Sequence, residues 1–343
     1  MTVTESQLPA GPGTGQAPAL RIAGLRVDFP RRGGDVHAVR GVDLQVHRGE
    51  VLALLGESGS GKSITARAVM RLCPPSAQVS ADAIEVDGTD VLHADVSELR
   101  RPRGEKMAMI FQDPLSALNP VLSIGNQIGE LFRIHRGMSR RQARAEAERL
   151  LAAVGIPDPH GRVRDFPHQC SGGMRQRILI ALAIALRPGL LIADEPTTAL
   201  DVTVQAQILD LLRSLQREMD LAILLITHDL GVVCEVADQV AVMYAGRVVE
   251  TGSVEQVLAR PAHPYTRALL ESVPQGHPAD DLPVIAGSPP PADQILPGCS
   301  FAPRCGFAVE RCLEELPLLE PVLESCGPGR MAACLRAQEV LNA

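Results

Sequence analysis

The sequence predicts an α/β fold with a mostly parallel β-sheet that is covered by helices on both faces. Short apolar runs alternate with segments of helical periodicity between residues 51 and 244. Most of these runs are apolar throughout, which is typical of strands buried on both faces of a parallel sheet. A glycine-rich segment, residues 56–63, joins the first such run to a helix. The chain has 343 residues, enough for one domain of ordinary size and a second, small one.

Composition and charge disfavour several kinds of protein. The formal net charge is −7, from 40 acidic and 33 basic residues, and only 2% of the residues are aromatic. Nucleic-acid-binding proteins more often carry a basic stripe with stacking aromatic side chains, so we expect no nucleic-acid partner. The most apolar segment, residues 178–186, is shorter than the about 20 residues of a membrane-spanning helix, which predicts a buried helix. Residues 1–19 are expected to form a disordered tail without a secretory signal, on a cytosolic protein.

The N-terminal half of the chain begins with strands and then changes to helices. Alternation of apolar residues predicts an antiparallel subdomain beside the main sheet, with an Asp87-Gly88 turn. After Gln112 a helical insertion is predicted over about residues 114–168, and its clearest helix begins at a capping box of Ser139 and Gln142. The expected elements before the insertion are two half-buried strands within residues 21–46, a strand at 51–55, a helix to about residue 72, and short strands at 84–86 and 107–111.

The α/β pattern resumes at Ser171 and continues to about residue 259. From residue 261 onward proline becomes frequent and helical periodicity weakens. We therefore expect a main domain over residues 20–259 and a small, irregular C-terminal extension over residues 260–343. The expected elements of the resumed pattern are a helix that follows Ser171 and is ended by Pro188, strands at 190–193 and 221–226 with a helix at 204–217 between them, and short strands at 240–244 and 247–250.

The glycine-rich segment has the composition of a phosphate-binding loop. Its glycines allow successive backbone N–H groups to point at phosphate oxygens, and the helix that follows adds the positive end of its dipole. Lys62 would contact the β- and γ-phosphates, and the Ser63 hydroxyl would be a ligand of Mg²⁺. This indicates the core of a P-loop NTPase, which by itself fits a kinase, a GTPase or a helicase. The residues expected to contact the nucleotide here are Gly56, Glu57, Ser58, Gly59, Ser60, Gly61, Lys62, Ser63 and Ile64.

Polar residues follow three other predicted strands, at the edge where open α/β sheets bind ligands. Asp194 and Glu195 end the strand at residues 190–193. Asp194 could hold Mg²⁺ through water, and Glu195 could polarise an attacking water molecule. His228 and Gln112 also follow strands, but each of them alone could equally be a structural hydrogen-bonding residue.

Six motifs together resemble the nucleotide-binding subunit of ABC transporters. Their order and spacing cover residues 21–260, and the Ser-Gly-Gly motif is specific to that superfamily. The six motifs are the phosphate-binding loop, Gln112 after Phe111, residues 171–177 beginning with Ser171-Gly172-Gly173, Asp194-Glu195, Ala199-Leu200-Asp201, and His228.

The resemblance implies a head-to-tail dimer in which ATP lies between the phosphate-binding loop of one subunit and the Ser171-Gly172-Gly173 segment of the other. A second helix N-terminus would then face the γ-phosphate. Cys170 and Met174 stand where the family often has Leu and Gln, and neither replacement removes a phosphate contact. The implied roles are Glu195 as general base, His228 as a ligand of the γ-phosphate and water, Ser63, Gln112 and Asp194 at Mg²⁺, Asp201 against the opposite subunit, and Phe29 stacked on adenine.

The extension narrows the resemblance to the ATPases of oligopeptide and dipeptide importers. Residues 263–270 resemble the opening of their C-terminal extension, and four cysteines in similar sequence contexts follow. Some members of that family hold an iron–sulfur cluster there. The spacings lack the paired CxxC of many zinc sites, so a [4Fe–4S] cluster is expected, with zinc, free thiols or disulfides as alternatives. The expected ligands are Cys299, Cys305, Cys312 and Cys334, and Cys326 lies between the last two.

The sequence therefore predicts the ATP-hydrolysing subunit of an importer for dipeptides or oligopeptides. Its expected partners are a second ATPase subunit, two membrane-spanning permease subunits and, indirectly, an extracytoplasmic solute-binding protein, with the chain at the cytoplasmic face of the membrane. Uptake of nickel or another small solute is an alternative, because nickel importers use similar ATPases. A soluble ABC ATPase of DNA repair or translation would need a long coiled-coil insertion or two cassettes, and this chain has neither pattern.

Overall fold

The computed structural model of the chain describes residues 17–198, 200–272, 285–322 and 329–343. Its strands are β1 (Leu20–Phe29), β2 (Val36–Val46), β3 (Val51–Leu55), β4 (Gln78–Ser80), β5 (Ala83–Val86), β6 (Thr89–Asp90), β7 (Met107–Ile110), β8 (Leu190–Asp194), β9 (Ala222–Thr227), β10 (Gln239–Tyr244), β11 (Arg247–Ser253), β12 (Glu320–Pro321) and β13 (Met331–Ala332). Its helices are α1 (Lys62–Val69), α2 (Pro102–Glu105), α3 (Pro114–Ala117), α4 (Ile124–Arg136), α5 (Arg140–Ala153), α6 (Pro159–Arg162), α7 (Gly172–Ile184), α8 (Val202–Met219), α9 (Leu230–Val236), α10 (Val254–Ala259), α11 (Pro264–Glu271), α12 (Glu310–Glu314) and α13 (Ala337–Asn342).

The larger sheet confirms the predicted α/β fold. Its strand order is β12-β13-β11-β10-β3-β9-β8-β7, and the five strands from β10 to β7 run parallel. Every residue of β3, β8 and β9 is buried, as expected for strands covered on both faces. The carboxyl ends of these three neighbouring strands therefore meet at one edge of the sheet, where the candidate site lies.

The smaller sheet is antiparallel, as predicted. Its order is β2-β1-β5-β6, with β4 also paired to β1. The Asp87-Gly88 turn joins β5 to β6, and both turn residues have positive φ, 45° and 70°. That conformation matches the right-handed twist of a tight hairpin and explains why Asp and Gly stand there.

Helices α3 to α6 form the helical insertion. The predicted capping box is present: the Ser139 side chain accepts a hydrogen bond from the Gln142 N–H, and the Gln142 side chain accepts one from the Ser139 N–H. Helix α5 ends at Ala153, and Gly155 follows with φ of 74°. Helix α7 ends at Ile184, four residues before Pro188, which was predicted to end it, and Arg187 between them has φ of 56°.

The C-terminal extension shares an apolar core with the main domain. Tyr265 and Phe301 of the extension pack with Leu55 and Tyr244 of the large sheet. The ring centroids of Tyr244 and Tyr265 are 4.5 Å apart, and those of Tyr244 and Phe301 are 5.3 Å apart. The extension also adds strands β12 and β13 to the sheet beside β11. Among the described helices, none combines the length and the apolar character needed to cross a membrane.

Candidate active site

The phosphate-binding loop connects β3 to α1 in the predicted order. The Nζ of Lys62, the first residue of α1, donates to the carbonyl oxygens of Gly56 and Glu57, at 2.6 and 2.9 Å. Burial lowers the pKa of Lys62, opposed by the nearby carboxylates of Glu195, Asp194 and Glu57. The ammonium group is therefore held inside the loop by carbonyl groups that a phosphate oxygen could replace.

Two glycines of this loop are required by close backbone contacts. A Cβ on Gly61 would lie 2.5 Å from the carbonyl oxygen of Ala38, and its φ is +106°. A Cβ on Gly56 would overlap the carbonyl oxygen of Met243. Any larger residue at either position would push the loop off β2 or β10, which explains the glycine spacing of the motif.

Ser63 and Asp194 meet at the base of the loop. The Ser63 hydroxyl donates to Oδ1 of Asp194 at 2.9 Å. Asp194 ends β8 and is 3% exposed, and burial raises its pKa. A hydroxyl and a carboxylate oxygen side by side are the donors that Mg²⁺ prefers, so this pair fits a magnesium site.

Glu195 is the centre of the hydrogen-bond network in the site. Its Oε2 accepts from Nε2 of Gln112 at 2.8 Å and from the Thr198 hydroxyl at 2.9 Å. Its Oε1 lies 3.1 Å from Nδ1 of His228. Burial acts to raise the pKa of Glu195, but the hydrogen bonds with Thr198 and His228 outweigh it, so the pKa lies below its ordinary value. The carboxylate is therefore ionised at neutral pH, and its side chain is 16% exposed, two properties that a general base needs.

The structure thus brings Gln112, Asp194, Glu195 and His228 together beside the phosphate-binding loop. Phe29 lies apart from this network: it is the last residue of β1, is half-buried and packs against the apolar cluster of the antiparallel sheet. Of the remaining loop positions, Ser58 and Gly59 are exposed, Ser60 is buried, and Ile64 packs into the core behind the loop.

The Ser171-Gly172-Gly173 segment and Asp201 lie outside the network around Glu195. Ser171 caps α7 by accepting from the Met174 N–H, and Asp201 caps α8 by accepting from the Val204 N–H at 2.9 Å. The two helix starts are neighbours, since a Cβ on Gly173 would lie 2.7 Å from the Val204 side chain. Ser171, Gly172 and Asp201 are exposed, and none of them is among the hydrogen-bond partners described for Glu195. Ala199, between Thr198 and Leu200, lies outside the described residues.

The four cysteines expected to bind a cluster line a single cavity in the extension, together with Phe301 and Phe307. Burial raises the pKa of Cys299 and Cys305, and raises that of Cys334 to about 11. The backbone N–H groups of Phe307 and Arg336 donate to the sulfur atoms of Cys305 and Cys334, at 3.3 and 3.4 Å. Within the described ranges, however, no three His, Cys, Asp or Glu side chains stand in an arrangement that could hold a metal ion. Cys326 lies outside these ranges.

Sequence patterns missed three residues that contact the site. The Thr198 hydroxyl donates to Glu195 from the turn after β8. Thr198 follows Glu195 by three residues, and this spacing could have indicated the contact. Tyr265 and Arg304 reach the phosphate-binding loop from the extension, and both contact Glu57. Their positions in the sequence give no local signal of that contact.

The fold and the site define an ATPase of the ABC cassette class. The ABC transporter family matches residues 39–198, and the family "oligopeptide/dipeptide transporter, C-terminal region" matches residues 249–312. The chain belongs to the ATP-binding subunits of ABC transporters, in the group that carries this C-terminal region.

Curated relatives match almost the whole chain. A putative peptide import ATP-binding protein of Brucella ovis is 48% identical over 336 residues, which cover 94% of this chain and 98% of the relative. The dipeptide transport ATP-binding protein DppD of Bacillus subtilis is 50% identical over 288 residues, 83% of this chain and 86% of the relative. Among solved structures, a dimeric bacterial ABC transporter cassette matches with a TM-score of 0.62 and 26% identity, over 68% of this chain and 98% of that one. The same cassette solved with ADP and Pi matches equally well.

Proposed function

We propose that this ATPase powers the import of dipeptides or oligopeptides. The observation that carries the proposal is the Glu195 network beside the phosphate-binding loop, in a chain whose C-terminal extension matches that of peptide transporters. Two relatives that cover most of the chain are named for peptide import and dipeptide transport. The solute itself would be selected by other subunits, because the residues of this site serve a nucleotide.

In this proposal each residue of the site acts on the terminal phosphate of ATP. Lys62 exchanges the carbonyl groups of the loop for the β- and γ-phosphates. Glu195 accepts a proton from the attacking water. His228 contacts both Glu195 and the γ-phosphate and so positions them relative to each other. Ser63 and Asp194 would hold Mg²⁺ with Gln112 beside them, and the ion would neutralise charge that develops on the phosphates. Phe29 is proposed to stack on adenine.

The same proposal includes a dimer and membrane partners. Ser171, Gly172 and Asp201 are exposed at two neighbouring helix starts, so they are free to complete the ATP site of a second subunit. Closure of the two subunits on ATP would drive two permease subunits, with a solute-binding protein outside the cell, and would keep this chain at the cytoplasmic face of the membrane. We assign residues 20–259 to the cassette, with its helical subdomain at about 114–168, and residues 260–343 to the extension.

We also propose that the four-cysteine cavity holds a [4Fe–4S] cluster. The support for this proposal is that four thiols line one apolar cavity and two of their sulfur atoms already accept backbone N–H groups. Binding the cluster would require these side chains to rearrange, because in the described ranges no three of them are placed to hold a metal ion. Such a group would cross-link the extension, whose described residues form one small apolar cluster of their own, of Ala262, Val322, Ala332 and Leu341, besides the core shared with the cassette.

The substitution Glu195→Gln tests the ATPase assignment. It keeps the shape of the side chain but removes the base, so we expect hydrolysis to fall by about 100-fold or more, while ATP binding persists and the protein elutes as a dimer in ATP. Phosphate release, nucleotide titration and size-exclusion chromatography measure the three effects. Glu235→Gln, at an exposed position of α9, is the matched control and should behave as the wild type. Sustained turnover by Glu195→Gln would show that the base lies elsewhere.

Uptake by cells lacking the gene tests the solute. Wild-type chain supplied from a plasmid should restore uptake of a labelled dipeptide, whereas Glu195→Gln should not. Restoration of nickel uptake without dipeptide uptake would contradict the peptide assignment.

Absorbance tests the cluster. Anaerobically purified protein should absorb near about 400 nm and contain iron and sulfide, from iron–thiolate charge transfer. Cys312→Ser should lose this absorbance, and Cys234→Ser, an exposed thiol on α9, should retain it. Colourless protein with stoichiometric zinc, or without metal, would rule out the cluster.

A further inference from the structure

Glu57 of the phosphate-binding loop is held at three points. Its side chain receives two hydrogen bonds from the Arg304 guanidinium, from Nη1 to Oε2 at 3.0 Å and from Nη2 to Oε1 at 3.3 Å. Its backbone N–H donates to the Tyr265 hydroxyl at 2.9 Å, and its carbonyl oxygen accepts from Lys62. Glu57 therefore joins the lysine of the nucleotide site to two side chains of the C-terminal extension.

Arg304 is itself fixed from several directions. Its side chain is 6% exposed, against 25% for Glu57. It donates to the carbonyl oxygens of Ala286 and Ile285 and to the Tyr244 hydroxyl, and its guanidinium carbon lies 5.8 Å from the centre of the Tyr244 ring. A bidentate pair between a buried guanidinium and a carboxylate has a strict geometry, and loss of either partner leaves the other charge unpaired. This pair therefore sets where Glu57 can lie.

The position of Glu57 determines the backbone conformation of the residues that follow it. Ser58 to Gly61 would present their N–H groups to the phosphates of ATP, and Gly59 and Gly61 have positive φ, +80° and +106°, which glycine adopts readily. A glycine-rich loop samples many other conformations when it is unsupported, and ordering it on binding would weaken affinity. Fixing the first residue of the turn before ATP arrives removes part of that cost.

We propose that Tyr265 and Arg304 are positioning residues of the nucleotide site, which hold Glu57, and through it the phosphate-binding loop, in the conformation that binds ATP. The catalytic cassette thus depends on its C-terminal extension for full affinity. This inference rests on the ATP site of the proposed function, and it concerns binding rather than the hydrolytic step, because neither residue contacts Glu195 or Asp194 in the described hydrogen bonds.

The test measures ATP affinity and steady-state kinetics in the full-length chain. Arg304→Gln should raise the Kd for ATP by about tenfold, and Tyr265→Phe, which keeps the ring but loses the hydroxyl, by about fivefold. Arg304→Lys keeps the charge without the fork of donors and should give an intermediate Kd. In all three variants KM should rise with Kd, while kcat at saturating ATP stays within about twofold of the wild type.

Arg311→Gln is the matched control. Arg311 also precedes a cysteine of the extension, but it is exposed and pairs with Glu315 just after its own helix α12, so the Kd of Arg311→Gln for ATP should equal that of the wild type. If Arg304→Gln fails to fold, the Kd of Tyr265→Phe tests the inference instead. This variant keeps the packing of the ring against Tyr244 and Phe301. If the folded variants bind ATP as tightly as the wild type does, this inference is overturned, even if their melting temperatures fall. The proposed function would then still stand. Absence of ATP binding in the wild type would instead overturn the proposed function.

Discussion

Glu195 has a left-handed backbone conformation, with φ of +47°. For a residue with a long side chain this conformation costs about 1 kcal/mol or more, so the surrounding structure must impose it. The Glu195 N–H donates to the carbonyl oxygen of Ile226 on β9, and its carbonyl accepts from Thr198. The sharp turn after β8 aims the carboxylate across the sheet edge toward Gln112 and His228 rather than along the strand.

His263 makes stability depend on pH. It is fully buried, burial lowers its pKa from 6.5 to about 3, and its Nδ1 accepts from the Tyr265 N–H at the start of α11. The unfolded chain takes up a proton near pH 6.5, but the folded chain does so only near pH 3. The stabilising contribution of the neutral ring is therefore complete above about pH 6.5 and is lost as the pH falls toward 3.

His263→Asn isolates this effect, because Asn keeps a capping acceptor but does not titrate. We expect the free energy of unfolding of the wild type, relative to the variant, to fall by about 1.4 kcal/mol per pH unit between about pH 6 and about pH 5. Urea unfolding of both proteins over this range provides the measurement. Parallel pH profiles would mean that His263 is protonated in the folded protein.

Site residues in local motifs could be predicted from the sequence, and those that act from a distance could not. The strand, glycine turn and helix around residues 51–70 indicated Lys62 and Ser63 directly. The glycine-rich loop, the helix N-terminus and the lysine that together bind a phosphate all belong to this one continuous segment. Tyr265 and Arg304 contact Glu57 across 208 and 247 positions of sequence. No periodicity connects such positions, and Arg304 lies at the end of a 3₁₀ turn of only three residues, Ala302–Arg304.

At the scale of elements, the capping box of α5 offers a direct test of helix stability. Ser139→Ala removes the side-chain oxygen that accepts from the Gln142 N–H, and should lower the free energy of unfolding by about 1 kcal/mol. The control is Ser97→Ala, since Ser97 is exposed and precedes a short 3₁₀ turn without a side-chain capping bond. Urea denaturation compares the two. An equal loss of stability in both variants would show that the capping box contributes nothing specific.

Elements of four or more residues with a clear pattern could be predicted, and several strands of two or three residues could not. Alternation revealed β1 and β2, and continuous apolar runs revealed β3, β8 and β9, because burial on one or two faces dictates those patterns. Strands β4, β12 and β13 have only two or three residues each, too few for any period to appear. They exist because neighbouring strands offer unpaired backbone groups, which is a property of the tertiary structure.

At the scale of the whole molecule, the division into a main part and an extension could be proposed from composition, but the way they join could not. The change to proline-rich sequence after residue 260 indicates where the pattern alters. It gives no sign that Tyr265 and Phe301 enter the same apolar cluster as β3 and β10. The buried pair of Arg330 and Glu250, 2.7 Å apart, is a second such link. Arg330 and Glu250 are 80 positions apart in the sequence, so no local pattern could have indicated their contact.

Strands β12 and β13 also affect which surfaces of this protein are available for association with another molecule. Without them β11 would be an open sheet edge, with the backbone of Glu250 and Thr251 unpaired beside Val248 and Val249. Such an edge is a template for strand addition between chains and hence for aggregation. Pro321 lies in the outermost strand and has no N–H to donate, which ends the sheet. The extension therefore covers a sheet edge of the cassette at which chains could otherwise pair and aggregate.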